Sequence, residues 1–392
     1  MKYLDCFTGI GGFTKPLIEA GHTCVGFSEI DKYAISVYQR QYPDHDYLGD
    51  ITKIDEKKLP DFDLLVGGFP CQSFSIAGKR GGFEDTRGTL FFDLARILKE
   101  KRPKYYIFEN VKGLLSHDGG NTLGTIINSL WELGYTADYQ VLNSKHFGVP
   151  QNRERIFIIG TREEDCGTLK EFWHFDYPKP PKTYCKLADI LEDEVDEKYY
   201  LKDESVEKLI EYNIRNSING NGFQAKFHNE NENMSALKVG GGGVNDLIQV
   251  GSLGGDWEKR QNGRRFKEDG EPSFTLTAQD RHGVMISEAT KKGFAVAEEG
   301  DSINLSVPNS KTRRGRVGKE VAQTLDTGMQ QYTLQNTRIR RLTTIECLRL
   351  QGFPDDWCDY GVNDEVISDS QKYKMAGNAV TTNVIKAIIK QL

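Results

Sequence analysis

The 392-residue chain has no cysteine pair at CxxC spacing and no cysteine-histidine cluster at metal-ligand spacing, although it carries seven cysteines. An odd number of isolated thiols argues for free cysteines in a reducing compartment and against a disulfide framework or a zinc site. No apolar run approaches the roughly 18 residues of a membrane span. The first residues, Met1-Lys2-Tyr3-Leu4-Asp5-Cys6, enter a strand pattern without the apolar core of a signal peptide. A cytoplasmic protein with no membrane association and no metal is expected. Positive charge is also scarce, with 51 Lys and Arg against 57 Asp and Glu for a formal charge of -6. That balance disfavours a nucleic-acid partner, but averages conceal segregation. From Gly251 to Ile345 there are 16 Lys and Arg against 12 Asp and Glu, so this window is near +4 and the remainder near -10. A solvated face would explain so mild an excess equally well.

A chain of this length exceeds what one core usually supports, so two or three units are expected. Residues 3 to 13 read YLDCFTGIGGF, a strand feeding a glycine turn before an amphipathic helix through Leu17 and Ile18 that Gly21 ends. Glycines let backbone approach a ligand closely, and exposed N–H groups at a helix start favour anionic groups. A tight turn without a ligand fits the same pattern. The next strand, Thr23 to Ser28, ends at Glu29-Ile30-Asp31, near the spacing at which a second-strand carboxylate meets a ribose. No GxxxxGK[ST] motif occurs and the glycine turn has no Lys. A cofactor held here has an adenosine and ribose but needs no pyrophosphate. Asp50 follows a third strand end, where it either accepts from an adenine amino group or is a turn Asp.

Phe62-Asp63-Leu64-Leu65-Val66 reads as a buried strand, and it runs into Gly67-Gly68-Phe69-Pro70-Cys71-Gln72-Ser73-Phe74-Ser75. Open α/β sheets bind ligands outside the carboxyl ends of their strands, so a Cys stiffened there by proline is presented to a substrate. A buried structural Cys is the alternative. The glycine-hinged basic stretch from Ile76 to Gly88 reads as a loop able to close over a substrate, and Thr89 to Lys99 as a helix. The strand Tyr105 to Phe108 ends in Glu109-Asn110-Val111, which places a candidate acid at the same edge. Helix Thr122 to Leu133 and strand Ala137 to Leu142 follow. In Gln151-Asn152-Arg153-Glu154-Arg155 two arginines two apart share one strand face, either as a surface pair with Glu154 or pointing into the site.

From about Lys186 to Gln335 apolar runs shorten and Gly, Asn, Glu and Lys rise. A weak repeat places arginines before a Thr-Leu segment twice: Arg264-Arg265 before Phe274-Thr275-Leu276, and Arg314-Gly315-Arg316 before Gln323-Thr324-Leu325. Short β-elements so decorated suit phosphate and base-edge contacts, though chance similarity is a rival. Arg340 to Pro354 reads as a capped amphipathic helix, and Gly377-Asn378 as a helix entry before a final helix to Leu392. The expected organisation is a catalytic and cofactor-binding domain over 1–185, a target-recognition domain over 186–335, a hinge over 336–367 and a returning C-terminal helix over 368–392.

Taken together, DCFTGIGGF at 5–13, GGFPCQSFS at 67–75, ENV at 109–111, QNRER at 151–155, RRLTTIECLRLQGFP at 340–354 and MAGNAV at 375–380 resemble the DNA cytosine-5 methyltransferase family, in its order and over nearly the whole chain. The amino-methylating cousins carry Asp or Asn before Pro-Pro and an aromatic where this chain has Pro-Cys. The resemblance implies a Rossmann-like α/β methyltransferase sheet with a smaller β-rich target-recognition domain. It implies S-adenosylmethionine as donor, with Phe7 against adenine, Glu29 on the ribose hydroxyls and Asp50 on the adenine amino group. Gly9, Gly11, Leu90 and Asn378 then line the pocket, with Ile10, Gly12, Ile30, Pro70 and Val380 completing the candidate set. It implies Cys71 as nucleophile toward cytosine C6, Glu109 as acid, Asn110 shaping the turn, Arg155 holding the base carbonyl and Arg153 steadying base or loop. Gln72, Ser75, Lys79 and Arg87 from the loop are candidate DNA contacts. Arg264, Arg265, Thr275, Arg314, Arg316 and Thr324 are those of the middle region. The family often has a serine where Ala77 stands, which puts one phosphate contact in doubt. The implied partner is double-stranded DNA, met by a monomer, and the resemblance leaves open a pairing with a restriction endonuclease of the same specificity or a solitary enzyme. A tRNA cytosine-5 methyltransferase and a catalytically silent DNA-binding protein are the rival readings.

Overall fold

A computed structural model describes residues 1–70, 90–166, 173–180, 185–200, 253–254, 280–281, 283–288, 294–298, 300–304, 315–325, 331–335 and 338–392. The chain divides into two units, Met1–Cys185 with Cys347–Leu392, and Lys186–Glu346.

The first unit is built on a six-stranded sheet: β1 (Lys2–Cys6), β2 (Thr23–Ser28), β3 (Leu64–Gly68), β4 (Tyr105–Val111), β5 (Asp138–Asn143) and, after a two-residue β6 (Gln151–Asn152), β7 (Glu154–Thr161). Their order is β2-β1-β3-β4-β7-β5. β2, β1, β3 and β4 pair in parallel, whereas β7 runs antiparallel to both β4 and β5. Strand alternation explains why both faces are buried, since successive side chains point to opposite sides. Leu4, Leu65, Tyr106, Phe108, Ile156 and Ile158 point to one face, where the helices Leu90–Lys101 and Asn121–Glu132 supply Phe91, Leu94, Ile126 and Leu130. Tyr3, Leu64, Val66, Ile107, Phe157 and Ile159 point to the other. There they meet Leu17 of α1 (Thr14–Glu19) and Val384, Ile385 and Ile388 of the last helix, Thr382–Ile389.

This topology has one consequence for function. The carboxyl ends of β1, β2, β3 and β4 lie along one edge, and antiparallel β7 begins at that edge, with Val111 opposite Arg155 and Glu109 opposite Phe157.

The described part of the second unit is antiparallel. Gly283–Ser287 pairs with Phe294–Glu298, and Ser302–Asn304 lies between Val317–Gly318 and Gln331–Gln335, which pairs with Arg338–Arg341. Ile286, Ala297 and Ile303 form its small core.

Three local expectations change. Arg340 lies in a strand, and the helix starts only at Thr344, running to Gln351. Its start is a capping box: the Glu346 N–H donates to Thr343 Oγ1 at 3.1 Å, and the Thr343 N–H donates to Glu346 Oε2 at 2.8 Å. Gly377-Asn378 closes the helix Asp369–Asn378 rather than opening one. Glu109 and Asn110 belong to β4 itself, so their backbones are fixed by sheet pairing. Among the described residues no helix is long and apolar enough to cross a membrane.

Candidate functional site

The site is assembled along the carboxyl edge of the sheet. Beyond β1 the turn Phe7 to Gly12 has Phe7 at φ +58° and Gly9 at φ +55°. Its brace is buried: Asp5 Oδ2 accepts from the hydroxyls of Thr8 and Thr14, both at 2.7 Å. Burial pushes the Asp5 carboxyl up to about 7, against the lowering effect of those two hydroxyls. The Trp357 indole N–H donates to the Ile10 carbonyl at 2.9 Å, which closes the turn from outside. Ile10 itself is 1% exposed. The glycines differ in use. A Cβ on Gly9 would meet nothing within 4 Å among the described residues, whereas one on Gly12 would stand 2.5 Å from Val380 Cγ1. Gly9 faces open space and Gly12 makes room for protein.

Glu29, just past β2, accepts the Gly9 N–H at 2.8 Å through Oε2 and the N–H groups of Ile30 and Asp31 through Oε1. Ile30 is 74% exposed, an apolar face beside that carboxylate. Asp50 caps a short turn, its carboxylate held below the usual range by the N–H and hydroxyl of Thr52. Leu90 and Phe7 are half-buried against the core, and Asn378 is exposed. Lys374 is engaged by Asp31 at 2.6 Å. Two carboxylates, apolar side chains and an open glycine fit an adenosyl group with free ribose hydroxyls, and supply no binder for a polyphosphate.

β3 delivers the second part. Phe69 is buried against Phe91 and Phe108, and its carbonyl accepts from Asn110 Nδ2 at 2.8 Å. Asn110 thereby fixes the backbone two residues ahead of Cys71. Pro70 is exposed. Cys71 itself lies outside the described residues, as do Gln72, Ser75, Lys79, Arg87, Arg264, Arg265, Thr275 and Arg314.

From β7, Arg155 Nε binds Glu109 Oε1 at 2.9 Å, with both side chains largely buried. The other carboxylate oxygen, Oε2, lies 3.1 Å from where a Cβ on Gly68 would stand. Arg153 does not sit on a strand but between β6 and β7, 2% exposed. Its Nη2 donates to the Ala379 carbonyl at 2.8 Å. Burial, with Arg155 alongside, pushes its guanidinium down to about 9, while Glu109 acts in the opposite sense.

In the second unit Arg316 is 4% exposed. Its N–H and that of Val317 donate to Glu288 Oε1. Thr324 is half-buried just past a two-residue strand. Reading motifs left out Asp5 and Trp357. Asp5 was signalled by an acid in an otherwise apolar strand, whereas Trp357 acts on residue 10 from 347 positions away and has no local signal.

A family model described as C-5 cytosine-specific DNA methylase matches residues 1–392. The orphan methyltransferase M.SPRI of Bacillus phage SPR is 36% identical over 474 aligned positions, covering 100% of this chain and 97% of that protein. The type II methyltransferase M.SsoII of Shigella sonnei is 36% identical over 392 positions, covering 100% of this chain and 79% of that protein. Among solved structures, a Spodoptera frugiperda DNMT2 variant matches with a TM-score of 0.55 at 18% identity, covering 100% of this chain and 98% of that one, which shows the shared fold. Relatives named as orphan and as type II match at the same identity, so similarity alone assigns no endonuclease.

Proposed function

The chain belongs to the C-5 cytosine-specific DNA methylase family, and from that premise we propose that it methylates C5 of a specific cytosine in double-stranded DNA through a transient Cys71–C6 bond, using S-adenosylmethionine. The observation that carries this reading is the Glu109–Arg155 pair on the sheet edge where β3 leads into Phe69 and Pro70, with the Phe7 to Gly12 turn on the same edge. The target atom is buried in a stacked duplex, so the nucleotide is swung out into this edge before reaction.

Cytosine C5 is a poor nucleophile. Addition of the Cys71 thiolate to C6 forms an S–C bond and moves an electron pair around the ring toward N3, which makes C5 enamine-like. Glu109 meets that charge by holding a proton between its carboxyl and N3. Arg155 orients the carboxyl through Oε1 and offers its remaining N–H groups to the base carbonyl. Asn110 fixes the strand end that precedes Cys71 in the chain by its bond to the Phe69 carbonyl. The chemistry supplied by bound S-adenosylmethionine is an electrophilic methyl group on a sulfonium. Glu29 would hold its ribose hydroxyls, Asp50 its adenine amino group, Phe7 and Ile30 the ring, and Gly9 the approach. Removal of the C5 proton by a base then drives β-elimination, which breaks the S–C bond and returns the Cys71 thiolate.

Cys71→Ala is expected to abolish methyl incorporation into duplex DNA while duplex binding persists. Appreciable turnover by that variant would overturn the assignment. Incorporation into tRNA but not DNA by the unaltered chain would overturn the substrate.

A further inference from the structure

Arg153 is a long charged side chain buried where β6 gives way to β7, and its Nε and Nη1 meet no acceptor among the described residues. Its one bond runs from Nη2 to the Ala379 carbonyl, 226 positions along the chain. Ala379 ends the helix Asp369–Asn378, its own N–H donating to the Met375 carbonyl at 3.0 Å. Its neighbour Val380 stands against Gly12 so closely that a Cβ there would lie 2.9 Å from the Val380 carbonyl oxygen. The same loop between β5 and β7 grips this segment twice more. Ser144 Oγ bonds Thr381 Oγ1 at 2.9 Å, and Asn383 Nδ2 donates to the Phe147 carbonyl at 2.9 Å.

We propose that Arg153 is a positioning residue for the cofactor turn: by holding the Ala379 carbonyl it seats Val380 against Gly12 and keeps Asn378 beside that turn. The loop that leads into Arg155, on the base side, and the glycine turn on the cofactor side are thereby assembled as one piece. The inference rests on the reading that the cofactor lies over Gly9 and Glu29. Packed segments with discrete arrangements transmit such effects, and couplings of this kind usually change an affinity by roughly 5- to 150-fold.

The test is calorimetric binding of S-adenosylhomocysteine to the DNA-free full chain. Arg153→Gln is expected to weaken binding by roughly tenfold or more, whereas Arg153→Lys, which keeps a charged donor toward the carbonyl, recovers part of the loss. Arg155→Gln is expected to lower kcat and leave this affinity within about twofold, a split that a general loss of folding would not produce. The Arg153→Gln and Val380→Ala losses should be non-additive in the double variant. Unaltered affinity in Arg153→Gln, with the unaltered chain binding normally, would overturn the proposal. If Arg153→Gln does not fold, Arg153→Lys and Val380→Ala decide, and normal affinity in both overturns it. Failure of the unaltered chain to bind S-adenosylhomocysteine would instead overturn the cofactor reading.

Discussion

Gly67 and Gly68 are adjacent, yet they are glycines for different reasons. A Cβ on Gly67 would lie 2.9 Å from the Cys6 carbonyl oxygen, so that position keeps β3 against β1. A Cβ on Gly68 would press on Glu109 Oε2, whose partner oxygen is held by Arg155. Gly68→Ala therefore shifts the acid by a few tenths of an ångström. Small misplacements of a reacting group are expensive, so a fall in single-turnover methyl transfer of roughly tenfold is expected with DNA affinity little changed. An unchanged rate would show that the position of Glu109 does not matter. At this scale the sequence was legible to the extent that Glu109 and Arg155, singled out from separate motifs, pair at 2.9 Å. Burial was not legible. Arg153 and Arg155 have the same spacing from strand residues, but one lies in a break between β6 and β7 and turns inward, and only tertiary packing decides that.

Among the elements, the stretch Arg340 to Gln351 shows where pattern reading fails. Apolar residues at Leu342, Ile345, Leu348 and Leu350 suit a helix throughout, yet Arg340 pairs with Thr333 in a strand and the helix waits for the Thr343 cap. Long-range pairing overrode local periodicity. The same residues hold, among the described residues of the second unit, its most buried charges. Arg340 Nη2 meets Glu346 Oε1 at 2.7 Å with both side chains fully covered, and Glu346 also caps the helix and accepts the Glu192 N–H at 2.9 Å. Removing one member of such a pair strands a buried charge, which costs about 3–5 kcal/mol. Glu346→Ala should lose about that much in urea unfolding of the transition that reports on residues 186–346. Substituting a surface pair such as Lys186–Glu320 should cost under about 1 kcal/mol. A Glu346→Ala loss no larger than the surface one would show that the pair is not what holds this element.

Over the whole molecule, the unit that carries the site is discontinuous in sequence, Met1–Cys185 completed by Cys347–Leu392. The amphipathic character of the last helix was readable, but not its partner, because Val384, Ile385, Ile388 and Ile389 fit any apolar face. Its place against Leu17, Val66 and Ile107 is set by the sheet. A chain ending at Cys185 would keep all strands of the sheet and expose one side of it. Those four side chains are at most 7% exposed, and each contributes about 1.5–3 kcal/mol on burial, so their loss removes up to about 6–12 kcal/mol. That rivals the roughly 5–15 kcal/mol by which whole domains are stable. The 1–185 fragment should therefore show no cooperative thermal transition, whereas supplying residues 347–392 in trans should restore one. A fragment melting cooperatively near the temperature of the full chain would mean that the C-terminal helices decorate the sheet rather than complete it. It would also leave Val380 and Asn378 without a structural reason to return to the Gly9 turn.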